Sequence, residues 1–190
     1  MTLGEVRFER EALLERARSG DRTAFSDLVR LHQDEVFTLA NRLVGDRELA
    51  ADVSQEAFIR AWRALPAFRG DAKFSTWLHR IVVNTAWSLR RSQQRRPTAP
   101  LSVIFQEPAA PDRNPQDLAA ASAMAPRLLS ALAQLSAPVR AVVVLKDIYD
   151  WAHSEIADHL GITTTAAKVR LHRGRKQLHA VLWDELGSDE

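Results

Sequence analysis

The sequence predicts an all-α protein that consists of two small helical domains joined by a proline-rich linker. On both sides of the linker, apolar residues recur at spacings of three and four, the period of an amphipathic helix, and no β alternation of useful length appears. Five of the eight prolines fall between Pro97 and Pro115, and this stretch cannot form a continuous helix because each ring removes a backbone N–H and fixes φ. We therefore assign residues 8–95 to an N-terminal domain, 96–122 to a linker and 123–186 to a C-terminal domain.

Glycine and aspartate residues mark the ends of the first three helices predicted in the N-terminal domain. The first helix ends at Gly20, which can adopt the left-handed conformation of a helix C-cap. Asp21 or Thr23 can cap the second helix, which ends at Gly45. Asp46 then caps the third helix, which carries its apolar residues along one face.

The fourth helix begins near Ser75 and runs to Arg96 without an intervening glycine or proline. Apolar side chains and one threonine form its predicted core face, which consists of Leu78, Ile81, Val82, Thr85 and Leu89.

The C-terminal domain is predicted to contain four further helices. Ser136 is a candidate N-cap, and Pro138 lies in the following first turn, where its missing N–H costs little. Gly161 allows the positive φ of a tight turn between the last two helices. The predicted helices span residues 127–135, 139–148, a short segment up to 160, and 163–186.

Composition describes an ordinary soluble protein, with 46% apolar and 26% charged residues. No apolar run approaches the roughly 18 residues that span a bilayer, and the first residues, MTLGEVRFERE, lack the apolar core of a signal peptide. Cysteine is absent, which excludes disulfides and thiolate sites and fits a reducing compartment. We therefore expect a cytoplasmic protein without membrane insertion.

The net charge is only +2, but its distribution is uneven. Residues 69–96 contain seven Lys or Arg and one acid, Asp71, while residues 161–179 contain five Lys or Arg and no acid. Two basic blocks predict two contacts with one polyanion. The alternative is that both blocks are solvated helix faces.

The second basic block follows a helix, a glycine turn and the start of a second helix, which is the helix-turn-helix pattern. Ala157 is small where the two helices would cross. A recognition helix places its first turns in the major groove, where Arg can bind guanine and Lys or Thr can hold phosphate. The alternative is a basic amphipathic helix packed on its own domain. The predicted DNA-binding residues are Thr163, Thr164, Thr165, Lys168, Arg170, Arg173, Arg175 and Lys176.

Three segments, in this order, resemble the sigma factors of bacterial RNA polymerase. DRELAADVSQEAFIRAWRALPAF resembles their core-polymerase-binding helix, and FSTWLHRIVVNTAWSLRR resembles the helix that reads the −10 element. LSAPVRAVVVLKDIYDWAHSEIADHLGITTTAAKVRLHRGRKQL resembles the domain that reads the −35 element. The order, the linker and the length resemble the extracytoplasmic function (ECF, group IV) class of the sigma-70 family, and the resemblance covers about residues 8–186. It implies sigma domain 2 before the linker and sigma domain 4 after it.

A polar row on the third helix is the predicted polymerase-binding surface. Asp52, Gln55 and Glu56 share one helical face, and Arg60 and Arg63 continue nearby. The resemblance implies that this face binds the clamp coiled coil of the polymerase β′ subunit. An ordinary solvated face is the alternative, and a metal-dependent nuclease would need a third carboxylate or histidine that is not evident there.

A second stripe on the fourth helix is the predicted −10 surface. Cations can hold phosphates there, while aromatic and amide side chains can stack on or bond an unstacked base. Two aromatic residues at the helix start could instead belong to the core. The stripe and these aromatics comprise Phe74, Trp77, Arg80, Asn84, Trp87 and Arg91.

Several positions depart from the family pattern. Ser88 stands where the family usually has an acid, beside an unusual Trp87, and both bear on the −10 sequence preference. Ala152 replaces the usual Ser cap, which predicts a weaker helix start by up to about 1 kcal/mol. Gly174 replaces an Ala and costs roughly 1 kcal/mol of helix stability.

The resemblance implies a dissociable, non-enzymatic sigma subunit whose partners are core RNA polymerase (β′ clamp and β flap), promoter DNA and an anti-sigma factor. No cofactor is implied, and the six histidines form no convincing metal site with neighbouring acids. The near-neutral charge predicts weak binding of the free chain to DNA. The main alternative is a stand-alone helix-turn-helix regulator, which would not explain the polar row of the third helix.

Overall fold

The computed structural model describes the backbone of residues 3–95 and 126–186, and within these ranges every regular element is helical. The all-α prediction is therefore confirmed for the described residues. The predicted linker, residues 96–122, lies outside them. No helix in the described ranges has the length and apolar character needed to cross a membrane.

The N-terminal domain contains four α-helices, and the third continues into a short 3₁₀ turn over Leu65–Ala67. They are α1 (Leu3–Arg18), α2 (Arg22–Val44), α3 (Arg47–Ala64) and α4 (Phe74–Arg95).

Capping side chains fix the starts of α2 and α3 where the sequence predicts them. The Asp21 carboxylate accepts hydrogen bonds from the backbone N–H groups of Thr23 at 2.9 Å and Ala24 at 3.1 Å, so Asp21 rather than Thr23 is the N-cap. Asp46 caps α3 in the same way, and Gly45 ends α2 with a φ of +68°. These ends orient the hairpin of α2 and α3 that carries the predicted polymerase-binding row.

The core of the N-terminal domain lies between α2, α3 and α4. Small alanines of α3, including Ala57 and Ala61, are fully buried and let the neighbouring helices approach closely. A second cluster of Leu65 and Phe68 packs with aromatic rings from α2, α3 and the start of α4. The predicted core face of α4 is largely confirmed, since Leu78, Val82 and Thr85 are buried while Ile81 and Leu89 are partly buried.

The C-terminal domain consists of α5 over residues 126–134, followed by α6, α7 and α8. Ser136 occupies the N-cap of α6 as predicted, but its side chain makes no capping hydrogen bond, and Pro138 lies in the first turn. The chain of α6 passes directly into a π-helical segment, which sequence periodicity does not indicate. The elements are α6 (Ala137–Val143), the π segment (Val144–Ile148), α7 (His153–Leu160) and α8 (Thr164–Leu186).

The turn between α7 and α8 has the geometry that the sequence predicts. Gly161 has a φ of +64°, and the small Ala157 is buried. Ala152 occupies the N-cap of α7 without a side-chain hydrogen bond, as the missing Ser predicts.

Gly174 has a packing role that the sequence does not indicate, in addition to its low helix propensity. It is buried in α8 against α6, where an added Cβ would lie 2.8 Å from a methyl of Val139 and would overlap Val143. Glycine therefore sets the close approach of α8 to α6, which positions the basic face of α8 on the domain.

Candidate functional site

The basic face of α8 is exposed along its first turns. Lys168, Arg173 and Lys176 are exposed and Arg170 is partly exposed, and none of these four has a carboxylate partner among the described residues. Thr164 and Thr165 lie exposed at the helix start. This arrangement leaves cations and hydroxyls exposed on one face of the helix, and their contact with a polyanion stays a prediction.

Two residues of the predicted set are already engaged within the domain. The Thr163 hydroxyl oxygen accepts a hydrogen bond from the Ala166 N–H at 3.1 Å, so it caps α8. The Arg175 guanidinium forms a two-point ion pair with Asp147 of the π segment, at 2.5 and 3.0 Å, and this partner raises the pKa of Arg175. Arg175 is therefore less available to DNA than its neighbours.

The stripe on α4 faces the C-terminal domain across an open cleft of about 680 Å³. Asn84 and Arg91 are exposed and Trp87 is partly buried. On the other side, the cleft is lined by Asp158, His159, Leu160 and Gly161, which form the end of α7 and the helix-turn-helix turn.

Arg80, the first member of the stripe, is already paired across the two domains. Its Nη2 and Nε lie 2.8 and 3.0 Å from one carboxylate oxygen of Glu155 on α7. Sequence reasoning missed this partner because the two residues are 75 positions apart and share no local pattern.

Phe74 and Trp77 belong to the aromatic cluster at the start of α4. Their ring centroids lie 5.5 Å apart, and both rings contact Phe68, at 6.0 and 5.1 Å. His32 adds an edge-on contact to Phe74 at 5.3 Å. Both side chains are only partly buried, so each supports the core and also presents a surface beside the α4 stripe.

The predicted polymerase-binding row lies on the outer side of α3. Gln55 and Arg63 are exposed, and Asp52 and Glu56 are partly exposed. Glu56 and Arg60 form an ion pair at 2.7 Å within the helix, so these two charges are partly neutralised.

Beside this row lies an apolar groove between α2 and α3, with a volume of about 450 Å³, that sequence reasoning missed. Phe25 and Val29 of α2 face Phe58 and Trp62 of α3 across it. Ile59 on its rim remains 39% exposed. An exposed apolar groove with a polar border is typical of a protein-binding surface, and the adjacent apolar residues Phe58 and Ile59 within a polar helix were the available signal.

Sequence reasoning also missed Arg140, a charged residue that is only 3% exposed. Its guanidinium donates to backbone carbonyls at the end of α2, those of Leu43 at 3.0 Å and Val44 at 2.5 Å. Burial, together with the nearby positive charge of Arg90, lowers the pKa of Arg140 to about 10. The side chain therefore stays protonated at neutral pH and joins the two domains.

A polar cluster of one acid and two histidines lies near the same contact. Glu35 is 3.4 Å from His32 Nδ1 and 2.8 Å from His79 Nε2. The hydrogen bond with His32 and the close approach of the His79 ring hold the pKa of Glu35 well below its usual range. The described residues contain no group of three or more His, Cys, Asp and Glu side chains that could hold a metal ion.

Two family matches cover most of both helical domains. Residues 28–96 match the family described as Sigma-70 region 2, and residues 126–178 match Sigma-70, region 4. The first match runs from within α2 to the end of α4 and includes the polar row and the α4 stripe, and the second includes the helix-turn-helix.

Curated relatives extend the match over nearly the whole chain. The ECF RNA polymerase sigma-E factor of Escherichia coli K12 is 33% identical over 175 residues, covering 88% of this chain and 91% of that protein. SigW, an ECF RNA polymerase sigma factor of Bacillus subtilis, is 31% identical over 180 residues, covering 90% of this chain and 95% of that protein. SigE, an ECF RNA polymerase sigma factor of Mycolicibacterium smegmatis, is 36% identical over 167 residues, which are 86% of this chain and 65% of that protein.

Solved structures share the fold. CnrH, in complex with the cytosolic domain of CnrY, matches with a TM-score of 0.56 and 30% identity over 90% of this chain and 95% of that chain. The sigma factor RpoE of Bartonella quintana, in complex with the anti-sigma factor NepR, matches with a TM-score of 0.57 and 22% identity over 83% of this chain and 96% of that chain. With both sigma-70 regions present in order and relatives above 30% identity over nearly their full length, the chain belongs to the extracytoplasmic function class of the sigma-70 family.

Proposed function

We propose that this chain is a transcription initiation factor that binds core RNA polymerase and directs it to promoters with specific −35 and −10 elements. The main support for the proposal is that one chain contains both a sigma-70 region 2 and a sigma-70 region 4. Each region has an exposed surface of the kind that its proposed partner requires. A stand-alone helix-turn-helix regulator would need neither the groove between α2 and α3 nor the stripe on α4.

The groove and the polar row of α3 together form the proposed binding surface for the β′ clamp of the polymerase. Phe58, Ile59 and Trp62 supply the apolar centre, which drives association by removing apolar area from water. Asp52 and Gln55 on the border provide charge and hydrogen bonds that set orientation. The ion pair of Glu56 with Arg60 fixes both side chains before the partner arrives. Domain 4 is proposed to contact the β flap.

The α4 stripe is the proposed −10 surface. Asn84 and Arg91 are exposed and can reach a base edge and a phosphate, while Trp87 offers part of its ring for stacking. Phe74 and Trp77 border the same surface with their partly exposed rings. Arg80 belongs to the same surface and is paired with Glu155 at its edge.

The exposed face of α8 is the proposed −35 surface. Arg170 and Arg173 lie on the part of the helix that would enter the major groove, where a guanidinium can bind guanine in a bidentate manner. Lys168 and Lys176 are proposed to contact the phosphate backbone. Thr163 contributes by capping the helix, and Arg175 by bracing α8 against Asp147.

The role in transcription initiation also determines what we propose for chemistry, cofactors, cellular location and regulation. The chain acts as a binding subunit that performs no chemical step, requires no cofactor and works in the cytoplasm, where its polymerase and promoter partners are. The solved relatives CnrH and RpoE are bound to CnrY and to the anti-sigma factor NepR respectively. By analogy, we propose that an anti-sigma factor also regulates this chain.

Run-off transcription with bacterial core polymerase, with and without this protein, tests the proposal on a set of candidate promoters. We expect promoter-specific transcripts that the double variant Arg170→Ala/Arg173→Ala abolishes. Arg10→Ala/Arg18→Ala is the matched control, because it removes the same charge from α1, outside all proposed surfaces. Sequence-specific binding of duplex DNA by the protein alone, without added transcription or polymerase binding, would leave a stand-alone regulator instead.

A further inference from the structure

Val169 is an apolar residue on the basic face of α8, and 45% of its surface is exposed. It is one of three large apolar residues that the described part of the chain leaves exposed, together with Leu31 and Ile59. Ile59 borders the apolar groove between α2 and α3. Val169, in contrast, lies among the cations of the proposed −35 surface, and nothing in the proposed function accounts for it.

The surface around Val169 is otherwise polar. Between residues 164 and 177, every other exposed position of α8 carries a hydroxyl, a cation, a histidine or an amide. Protein-binding surfaces are marked by a contiguous apolar patch, which one valine beside Lys168 and Arg173 does not form. The positive surroundings favour a polyanion instead.

Val169 lies near the centre of the face that points away from the domain. An α-helix turns by about 100° per residue, so Val169 lies about 200° from Leu171, which is buried. Thr165 and Arg173 lie one turn before and one turn after Val169 on the same face, and both are exposed. A helix that presents this face to the major groove therefore directs Val169 toward the base edges.

The base edges of the major groove offer one apolar group to such a side chain, the C5-methyl group of thymine. Valine has no hydrogen-bond donor or acceptor, so it can favour one base over another only through this methyl group. Its β-branched side chain has one strongly preferred rotamer in a helix. The methyl groups of Val169 are therefore already fixed in position before DNA binds, and the contact costs little rotamer entropy.

The stability of α8 does not explain a valine at this position. Valine has a lower helix propensity than alanine, lysine or arginine, because the preceding turn restricts its χ1 angle. Partial burial offsets this cost only in part, since nearly half of the residue is exposed. A contact with a binding partner is the remaining physical reason for an apolar side chain here.

We propose that Val169 is a specificity-determining residue that reads the C5-methyl group of a thymine in the −35 element. The proposal rests on the proposed function in one respect, namely the assignment of this face of α8 to −35 DNA. It adds a preference for thymine to the guanine contacts proposed for Arg170 and Arg173.

The spacing on α8 limits where this thymine lies. Val169 and Arg173 are four residues apart, which is about 6 Å along the helix axis. Successive base pairs are about 3.4 Å apart, so the two residues are separated by about two base-pair steps. With one further step for the reach of the arginine, we expect the thymine, on either strand, within about three base pairs of the position that depends on Arg173.

Replacement of thymine by deoxyuridine tests the contact, because it removes only the methyl group and keeps every hydrogen-bonding group of the base. A −35 element is first selected from a randomised duplex library with the holoenzyme of bacterial core polymerase and this protein. Arg173→Ala then identifies the position that depends on Arg173. Each thymine of both strands is replaced in turn, and the affinity of the holoenzyme is measured by fluorescence anisotropy. We expect one replacement within the window to weaken binding severalfold.

Three variants show whether this effect belongs to Val169. Val169→Ala should bind the thymine and deoxyuridine promoters equally, because the two methyl-bearing groups stabilise the complex only together. Val169→Ile retains a β-branched apolar side chain and should retain the difference. Leu31→Ala is the matched control and should also retain it, since it truncates an exposed apolar residue on α2, outside the proposed surfaces.

Two results would overturn the role of Val169. One is that no deoxyuridine replacement within the window weakens binding by the native chain, and the other is that Val169→Ala retains the full difference. Either result would leave an Arg173-dependent −35 element in place, so the proposed function would stand. A selection that yields no such element would instead overturn the proposed function, and the role of Val169 with it.

Discussion

Polar residues at the domain contact have environments that depend on distant parts of the chain. Arg140 is buried on neutral carbonyls instead of a carboxylate, and Glu35 is shared by His32 and His79. No local motif could have predicted either arrangement, because each depends on residues that meet only after the helices pack. By contrast, the helix caps Asp21 and Asp46 were predictable, since a cap depends only on its own next three residues.

The lowered pKa of Glu35 predicts a specific dependence of stability on pH. A carboxylate with a lowered folded pKa contributes stability above its unfolded pKa of about 4.3 and loses this contribution as the pH falls through the folded value. We expect Glu35→Gln to lower the free energy of unfolding at about pH 5, and the difference from the native chain to shrink toward about pH 3.

Urea unfolding at both pH values checks this expectation for Glu35. Asp158→Asn, an exposed acid on α7, is the control for a general effect of charge. A difference between the native chain and Glu35→Gln that stays constant or grows on acidification would contradict the assigned partners.

Ile59, at the rim of the apolar groove, allows the proposed contact with the polymerase to be tested. Placing a carboxylate in an apolar interface requires its desolvation without a partner, so we expect Ile59→Glu to weaken the binding of core polymerase by about tenfold or more. Leu31→Glu is the matched control, because Leu31 on α2 is 50% exposed and does not line the groove. A fluorescence titration with labelled sigma subunit measures both affinities, and an equal loss in the two variants would argue against the groove as the contact.

At the scale of elements, the sequence predicts helices better than it predicts their departures from regular geometry. The 3.6-residue period and the breaks at Gly20, Gly45 and Gly161 are local, and the structure confirms them. The π segment over Val144–Ile148 was missed, because nothing local in the sequence marks it. The interpretation of Gly174 was incomplete for the same reason.

Replacing Gly174 by alanine separates helix propensity from packing. Propensity alone would favour Gly174→Ala by roughly 1 kcal/mol. The added methyl group would overlap side chains of α6, and such overpacking costs about 1–3 kcal/mol. We therefore expect a net loss in the free energy of unfolding, measured by urea denaturation. His172→Ala, at an exposed position of α8, controls for propensity, and a more stable Gly174→Ala chain would show that α6 yields to the methyl group.

For the whole molecule, the two domains behave as separate units in sequence but as one packed body in the structure. The family matches lie on either side of the proline-rich stretch, and the bounds of the linker stay a prediction. The contact between the domains was not predictable, because its apolar residues, such as Val83 and Ala86, have the same sequence pattern as residues of a domain core. Only the assembled helices show that part of this core lies between the domains.

A continuous core predicts cooperative unfolding of the two domains, and Arg140 determines how strongly they are coupled. We expect a single calorimetric transition for the native chain. Arg140→Ala leaves the carbonyls of Leu43 and Val44 without their donor and opens space at the contact between the domains. Leaving a buried polar group without its partner costs about 1–3 kcal/mol of the free energy of unfolding. Because the shortest bonds lost cross the contact between the domains, we expect the transition to broaden or divide into two. Arg30→Ala, which removes an exposed arginine of α2, should unfold like the native chain. If Arg140→Ala keeps a single, sharp transition at a lower temperature, the apolar contact between the domains couples them without the guanidinium.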